Sequence, residues 1–326
     1  MQRRKFLLSG AALLVSSMAK AQPGDTRPPL IAYLTAGAKA PRVSLLAAFS
    51  KGMKQQGLTE GRSYTLEARY AEAEFERIPA LARELLALDP DVFLISTTPA
   101  NLVAKQIITR QPIVMVAVAD PLGVGLVNSY ARPGGNITGI TNLTAELAGK
   151  RLEIVKALLP GASKYAVFVN LSDPGAAFQM RSVSNVADQL GVNLQPVIDI
   201  SSASDLEPAF ESAKRAGAAA ALRLVDPLEA GLRGRTLALA ARYQLPMIYA
   251  FREVVEAGGL ISYGASQPDL YRQAASLVVK ILNGAKPTDL PVERPIKFEL
   301  VINASTAKAL GIAIPNTLMV AADIIE

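Results

Sequence analysis

Four times in this chain, a short polar residue followed by proline separates an apolar, strand-like run from a helix-like stretch. The pairs are Thr98–Pro99, Asp120–Pro121, Asp173–Pro174 and Asp226–Pro227. The side-chain oxygen of Thr or Asp can accept a hydrogen bond from a backbone N–H of the first helical turn. Proline is well tolerated at the first helical position, because the backbone N–H that it lacks would have no hydrogen-bond partner there. Four such strand-to-helix corners predict an open parallel α/β fold, in which ligands bind at the carboxyl ends of the strands.

The corners fall two in each half of the chain, and the alternation of strands and helices restarts after a Pro-Gly-Gly-Asn turn at 133–136. Apolar β-rich runs that alternate with helical periodicity are typical of a parallel sheet with crossover helices. We therefore predict two doubly wound lobes, with a first crossing of the chain between them at 137–141 and a crossing back at 260–263. Lobe 1 would comprise 30–140 and 265–293, and lobe 2 would comprise 141–264 and about 294–326. The predicted strands are 30–35, 64–70, 91–96, 113–119, 137–141, 164–169, 193–198, 218–225, 246–249, 260–263 and 298–303.

The first 21 residues have the pattern of a cleavable export signal. A basic start at 3–5 precedes an apolar run at 6–19 that is too short to span a bilayer, and Ala19-Lys20-Ala21 has the small-x-small form of a cleavage site. We predict cleavage after Ala21, a periplasmic location and a tether at 22–29. The paired arginines also resemble a twin-arginine signal, and both that route and the general secretory route stay open.

The composition excludes several classes of function. The chain has no His and no Cys, which excludes a Ser-His-Asp mechanism, imidazole or thiolate metal sites and disulfides. Without the predicted signal, 30 basic and 28 acidic residues remain, a net charge of +2 with no basic cluster for nucleic acid. No later stretch is long and apolar enough for a membrane span. We predict a soluble monomer with no cofactor and no metal.

The corners supply candidate ligand contacts. Asp120 and Asp226 follow the most continuous apolar runs of their halves, so we expect them at the ends of central strands, beside the cleft. Thr98 combines a hydroxyl with a helix N-terminus and suits a carboxylate. Together they would hold the ammonium and the carboxylate of an amino-acid-like ligand. Asp173 is predicted to be only a cap.

Other polar and aromatic residues near strand ends have two interpretations each. Tyr33, Phe178 and Tyr249 would either form an aromatic wall for the ligand or belong to the core. Arg252 and Glu253 would either pair across the cleft or begin a solvated helix. The residues alone leave these alternatives open.

The chain resembles the periplasmic substrate-binding proteins of ABC-type importers, of the type I periplasmic-binding-protein fold, whose characterised relatives bind aromatic amino acids. The resemblance covers essentially the whole mature chain. Its most specific stretches are 120–127, 132–139, 252–253 with 257–264, 297–303 and 306–311.

The resemblance implies two α/β lobes that are joined by three crossing strands and close on a small solute by hinge motion. It also implies delivery of the solute to a membrane permease with its ATPase, and no catalysis. By position, the family's pocket residues would be Thr35, Thr98, Asp120, Asn170, Ser172 and Asp226.

Two alternatives remain. One is a sensor in which the same ligand-bound fold is presented to a chemoreceptor or a sensor kinase. The other is an exported enzyme that works with carboxylates. A repressor of similar fold is disfavoured because the signal occupies the place of a DNA-binding helix-turn-helix.

Overall fold

The computed structural model describes residues 27–326, which form two α/β lobes. The predicted export signal, 1–21, and residues 22–26 of the predicted tether lie outside the described residues. Two parallel-sheet lobes were the predicted fold class, and the structure confirms it.

Lobe 1 is built on a five-stranded, all-parallel sheet. Helices cover both faces of the sheet, with a separate hydrophobic core on each face. The elements are β1 (Leu30–Thr35), α1 (Val43–Gln55), β2 (Thr65–Tyr70), α2 (Ile78–Leu86), β3 (Val92–Ser96), α3 (Thr98–Ile107), β4 (Ile113–Val118) and β5 (Ile137–Thr141). The strands lie in the order β2-β1-β3-β4-β5. The inner strands β1, β3 and β4 are buried on both faces and are nearly continuous apolar runs, whereas the edge strand β2 is partly exposed and contains polar residues.

Lobe 2 comes next in the chain, with the same alternation of strands and helices. Its elements are α4 (Thr144–Leu158), β6 (Lys164–Val169), α5 (Ala176–Leu190), β7 (Asn193–Asp199), α6 (Leu206–Arg215), β8 (Ala220–Arg223), α7 (Glu229–Arg242), β9 (Met247–Tyr249), α8 (Arg252–Glu256) and β10 (Ile261–Ala265).

The last part of the chain contributes to both lobes. Helix α9 (Gln267–Leu282) packs on the lobe 1 sheet and against α1, and the chain then returns to lobe 2. Strand β11 (Phe298–Asn303) pairs antiparallel with β10, and the helices α10 (Ala304–Ala309) and α11 (Asn316–Ala321) lead to β12 (Asp323–Ile325). The complete lobe 2 sheet has the order β12-β11-β10-β9-β8-β6-β7 and also carries a core on each face.

The chain crosses between the lobes after β5, between β10 and α9, and before β11. The third crossing is fixed beside the first, because the N–H of Glu293 donates to Gly139 O at 2.8 Å and the N–H of Thr141 donates to Glu293 O at 3.2 Å. The crossing segments are therefore hydrogen-bonded to each other as well as being covalent links.

Three of the four polar-proline corners lead into helices: α3, α5 and α7. Asp226 acts as predicted, because its Oδ1 accepts the N–H of Leu228 at 2.7 Å and that of Glu229 at 3.1 Å. Asp173 Oδ1 accepts only the N–H of Gly175, at 2.6 Å. Thr98 is not a cap: it is the first residue of α3, and its hydroxyl accepts the N–H of Ala119 at 3.4 Å.

The helix expected after Asp120 does not form. Asp120 Oδ1 accepts the N–H of Gly123 at 2.9 Å, but Gly125 adopts a φ of +70° and the N–H of Leu126 turns back to Pro121 O at 2.9 Å. A left-handed residue ends helical geometry. Residues 121–126 are consequently a series of turns.

Close helix packing in lobe 1 depends on Gly52. A Cβ on this residue of α1 would lie 2.8 Å from Arg272 O and 2.8 Å from Ala275 Cβ, both on α9. We expect Gly52→Ala to lower the free energy of unfolding by about 1–3 kcal/mol in urea titrations, because overpacking outweighs the gain in helix propensity.

The matched control is Gly234→Ala in α7, where the added Cβ would meet no atom within 4 Å. This variant should gain roughly 0.5–1 kcal/mol from helix propensity alone. Equal gains in the two variants would show that the α1–α9 contact does not constrain position 52.

Candidate ligand-binding site

A cavity of about 260 Å³ lies between the lobes, where the carboxyl ends of strands from both sheets meet. Lobe 1 contributes residues 40–42, 44 and 45, the corner 96–98 and residues near the ends of β4 and β5. Lobe 2 contributes Asp173, Gln179, residues 225–227, 229 and 230, Arg233 and residues near the start of α8. The strand ends form both walls, as expected for ligand sites in open α/β sheets.

The lobes touch each other around this cavity. Gly123 of lobe 1 lies against the Phe178 ring of lobe 2, where an added Cβ would be only 2.6 Å from the ring. Gly175 of lobe 2 faces Ala119 and Thr98 of lobe 1, at 3.5 Å and 3.8 Å from an added Cβ. The cleft is therefore closed in this structure.

A buried hydroxyl network supports the lobe 1 wall. Ser96, which lines the cavity, donates to Thr35 Oγ1 at 2.8 Å and is 2.9 Å from the Tyr33 hydroxyl. Tyr33 also shares a hydrogen bond of 3.0 Å with Tyr271 of α9. Burial raises the pKa of Tyr33 well above its usual range, so the network stays uncharged.

Two cavity residues of lobe 1 have strained backbones. Thr97 has a φ of +77°, rare for a β-branched residue, and Ala117 has a φ of +57° where the β4–β5 register shifts. Asn101 holds Thr97 in place by donating from its backbone N–H and from Nδ2 to Thr97 O, at 3.2 Å and 2.8 Å. Such strain persists only where surrounding contacts fix it, and it concentrates at functional sites.

A buried ion pair organises the lobe 2 wall. Arg223 Nη2 lies 2.5 Å from Asp226 Oδ2, and both side chains are at most 2% exposed. Arg223 also donates to Leu224 O at 2.9 Å. Because Asp226 Oδ1 accepts the two amides at the start of α7, both carboxylate oxygens already have partners within lobe 2.

Two further carboxyl groups in the cavity have strongly raised pKa values. Burial raises the pKa of Asp173 to about 7, opposed by the N–H of Gly175. Burial likewise raises the pKa of Glu229 to about 7, opposed mainly by Arg223. The pKa of Glu253 is also raised, chiefly by burial. Strongly shifted carboxyls that line one cleft indicate a functional site.

The geometry agrees with comparisons to known proteins. Residues 42–325 match the model of a family described as ABC transporter substrate binding protein. The chain belongs to this family. The predicted family and the predicted two-lobe fold are thus confirmed.

Three relatives show the range of similarity to this substrate-binding protein. A tyrosine-binding protein from Clostridioides difficile (strain R20291) is 28% identical over 265 residues, which cover 80% of this chain and 75% of that protein. A conserved domain protein from Vibrio cholerae superposes with a TM-score of 0.86 at 25% identity, over 92% of this chain and 100% of the other. An ABC domain from Streptococcus pneumonia, solved in complex with L-Trp, gives a TM-score of 0.84 at 23% identity with the same coverage.

The structure brings two of the six predicted site residues to the cavity wall, Thr98 and Asp226. Thr35 is fully buried behind Ser96, and Asp120 lies half-buried beside Gly123. Asn170 and Ser172 form a turn outside the wall, with Asn170 Oδ1 accepting the N–H of Ser172 at 3.0 Å and its hydroxyl at 2.6 Å. Ligand contact by these six residues remains a prediction.

Sequence reasoning missed other cavity residues. Arg42 and Glu229 line the cavity, and so does Asp173, which was expected to be only a cap. Arg42 precedes α1 and Glu229 begins α7, and helix starts commonly carry solvated charges. No sequence signal marks these two residues.

Of the three aromatic residues with two interpretations, two belong to the core and the third to neither place. Tyr33 and Tyr249 belong to the lobe cores, and Phe178 makes the contact with Gly123 at the edge of the cleft. Phe251 instead supplies an aromatic ring to the cavity wall.

The possible pair between Arg252 and Glu253 is absent within residues 27–326. Arg252 lies 2.6 Å from a Glu256 carboxylate oxygen, one turn along α8, and 2.5 Å from an Asp323 carboxylate oxygen. Glu253 faces the cavity instead. Across the same described residues, no helix is both long and apolar enough to cross a membrane.

The contact between Gly123 and Phe178 should control closure. We expect Gly123→Ala to weaken ligand affinity by roughly 5- to 100-fold. The added methyl group would clash with the Phe178 ring across the closed cleft, as well as with the Asp120 carboxylate of its own lobe, and about 1–3 kcal/mol of overpacking would oppose the closed state. Calorimetry would measure the affinity, and small-angle X-ray scattering should show a larger radius of gyration with ligand present. Gly161→Ala, where an added Cβ meets no atom within 4 Å, should behave as the wild type. Equal affinity in the two variants would exclude this role.

The raised pKa of Asp173 should make stability depend on pH. The folded protein holds this proton up to about pH 7, whereas an unperturbed Asp loses it near 3.8, so the folded state binds more protons in between. The free energy of unfolding should therefore fall as the pH rises from 4 to 7.

Asp173→Asn removes this titration while keeping an oxygen for the N–H of Gly175. Urea titrations at pH 5 and pH 8 should show a smaller decline for this variant than for the wild type, the remainder coming from Glu229. Asp188→Asn, at an exposed position of α5, should decline like the wild type. An undiminished decline in Asp173→Asn would refute the assignment.

Proposed function

We propose that this protein captures an amino acid, or a related small carboxylate, in the periplasm and delivers it to an ABC-type importer. The observation that carries this proposal is the closed cavity between the lobes, whose walls hold charged groups of both signs. Arg42 and Arg233 are cationic, while Asp173, Asp226, Glu229 and Glu253 are carboxyls. An enclosed site with opposite charges suits a ligand that has both an anionic and a cationic group.

The relatives support the ligand class. One is a tyrosine-binding protein and another was solved with L-Trp, and both cover most of this chain. The cavity wall also contains apolar residues that would accept an amino-acid side chain, among them Leu45, Val225 and Phe251. A cavity of this size is small among ligand sites and fits one small molecule.

The architecture supports capture and release rather than turnover. Three crossing segments join the lobes, so hinge motion can open and close the cleft without unfolding either sheet. A ligand that contacts both walls stabilises the closed form, which is the form that a permease would recognise. Export of a monomer by the signal at 1–21, with cleavage after Ala21, completes the proposal.

A thermal-shift screen of the exported protein against amino acids, aromatic acids and sugars tests the ligand class. A ligand at about 100 times its Kd should add roughly 2.7 kcal/mol of stability. We expect a shift with at least one amino acid, and the bound compound should be recovered unchanged. A shift with sugars alone, or conversion of the compound, would contradict the proposal.

Uptake then tests delivery. A strain that lacks this protein should take up the labelled amino acid more slowly, and the restored gene should recover the rate. Normal uptake in the deletion strain, together with a lost chemotactic or signalling response, would indicate a sensor instead.

A further inference from the structure

Two charged side chains on opposite walls of the cavity lack partners among residues 27–326. Arg42 of lobe 1 is 8% exposed, and its Nε has no hydrogen-bond partner. Glu229 of lobe 2 is 7% exposed, and its Oε1 has no partner. Neither forms a salt bridge within that part of the chain. Burying an unpaired charge is unfavourable, so we expect each of these side chains to gain a partner when a ligand binds.

The neighbouring charges of the site do have partners. Arg223 pairs with Asp226 at 2.5 Å, and Arg233 donates to Glu253 O at 3.0 Å. Arg151, behind the wall, donates to Thr144 O at 3.0 Å. These groups hold lobe 2 together, whereas Arg42 and Glu229 stay available to a bound molecule.

The surroundings of Arg42 suit an anion. Its guanidinium packs against Gly37, where an added Cβ would lie 2.8 Å from Nη2. The same cavity wall includes Thr97 and Thr98 at the start of α3, whose hydroxyls accept the N–H groups of Ala36 and Ala119 and can still donate to a ligand. Arginine and hydroxyl donors at a helix N-terminus favour a carboxylate.

The surroundings of Glu229 suit a cation. The charged groups that face it are Arg223, Asp226, Arg151 and Arg233, with the Tyr249 hydroxyl nearby. Arg223 is already paired with Asp226, and Oε1 of Glu229 is buried without a partner among the described residues. Burial accordingly raises the pKa of Glu229 to about 7, although the three arginines oppose this shift. A ligand ammonium group would supply the missing charge.

We propose that a zwitterionic ligand bridges the two lobes, with its carboxylate on Arg42 and its ammonium group on Glu229. This inference rests on the proposed function and assigns the ammonium contact to Glu229 rather than to Asp226, whose oxygens are already engaged. A neutral polyol could hydrogen-bond to either side chain but would leave both buried charges uncompensated. A zwitterion neutralises both, and it does so only when the lobes are closed.

The first test combines protein variants with ligand analogues. The probe is whichever of the twenty standard amino acids gives the largest thermal shift with the full exported protein, together with its decarboxylated amine and its deaminated acid. The wild type should bind the amino acid about 10- to 100-fold more tightly than either analogue, as expected for one charge-assisted hydrogen-bonded contact.

The variants Arg42→Met and Glu229→Gln should each lose a similar factor for the amino acid. Arg42→Met should bind the amine as the wild type does, and Glu229→Gln should bind the acid as the wild type does. This non-additivity identifies direct contact, because a merely structural role would weaken binding of all three compounds.

Proton uptake gives a second readout. Closure buries Glu229, whose pKa is about 7 in the closed cavity, so binding of the deaminated acid at pH 7 should be accompanied by proton uptake at Glu229. The amino acid should bind with about half a proton less uptake, since its ammonium group lowers the pKa of Glu229. Calorimetry in buffers of different ionisation enthalpy measures this difference, and Glu229→Gln should abolish most of it.

The matched controls are Arg242→Met and Glu207→Gln, which alter an exposed ion pair on lobe 2, with Arg242 on the same helix as Glu229. Both should bind as the wild type does.

Equal losses for all three compounds, or unchanged affinity in both cavity variants, would overturn this inference alone. Binding of an aromatic acid but of no amino acid would overturn the inference alone, and the absence of binding to either class would overturn the proposed function with it. If a cavity variant fails to fold, equal wild-type affinity for the amino acid and one analogue would still refute the inference.

Discussion

The structure depends on the burial of both sheets on both faces. Each lobe carries one hydrophobic core on either side of its sheet, so both faces of the central strands must be covered by apolar side chains. On these strands, charged side chains can reach the cleft only from the strand ends. Because the three crossings place the carboxyl ends of the two sheets opposite each other, the polar residues of both lobes face one cavity. The position of the site is thus a consequence of the packing.

The same constraint explains how much of the fold the sequence predicts. Buried parallel strands need continuous apolar runs, and the predicted strands at 30–35 and 164–169 match β1 and β6 without error. The partly exposed edge strands β2 and β7 were also predicted, within one residue at each end, whereas the three-residue edge strand β12 was not. The stretch after Asp120 looked like a helix start from its Asp-Pro pair, but Gly125 directs the chain into turns. Local chemistry therefore identifies the corner but does not determine whether a helix or a turn comes after it.

The site is less predictable than the fold for a different reason. Thr98 and Asp226 could be placed at the cavity because each ends a strand, which is a local property. The importance of Arg42 and Glu229 lies in their lack of partners, and a missing partner can be recognised only after all neighbours are in place. The opposite holds for Asp226, which the sequence predicts as a ligand contact. Its carboxylate already has a partner, because it pairs with Arg223, three residues earlier in the chain.

Unpaired charges on opposite walls also link recognition to motion. In an open cleft, water would solvate Arg42 and Glu229, and closure would remove that water. Closure without a ligand therefore leaves Arg42 uncompensated and forces Glu229 to be either an unpaired anion or protonated above its usual pKa, and both outcomes favour the open state. A ligand that neutralises both removes this cost only in the closed form, and that difference in affinity between the two states is what shifts the equilibrium. The groups that select a zwitterion would thus also make closure depend on its presence.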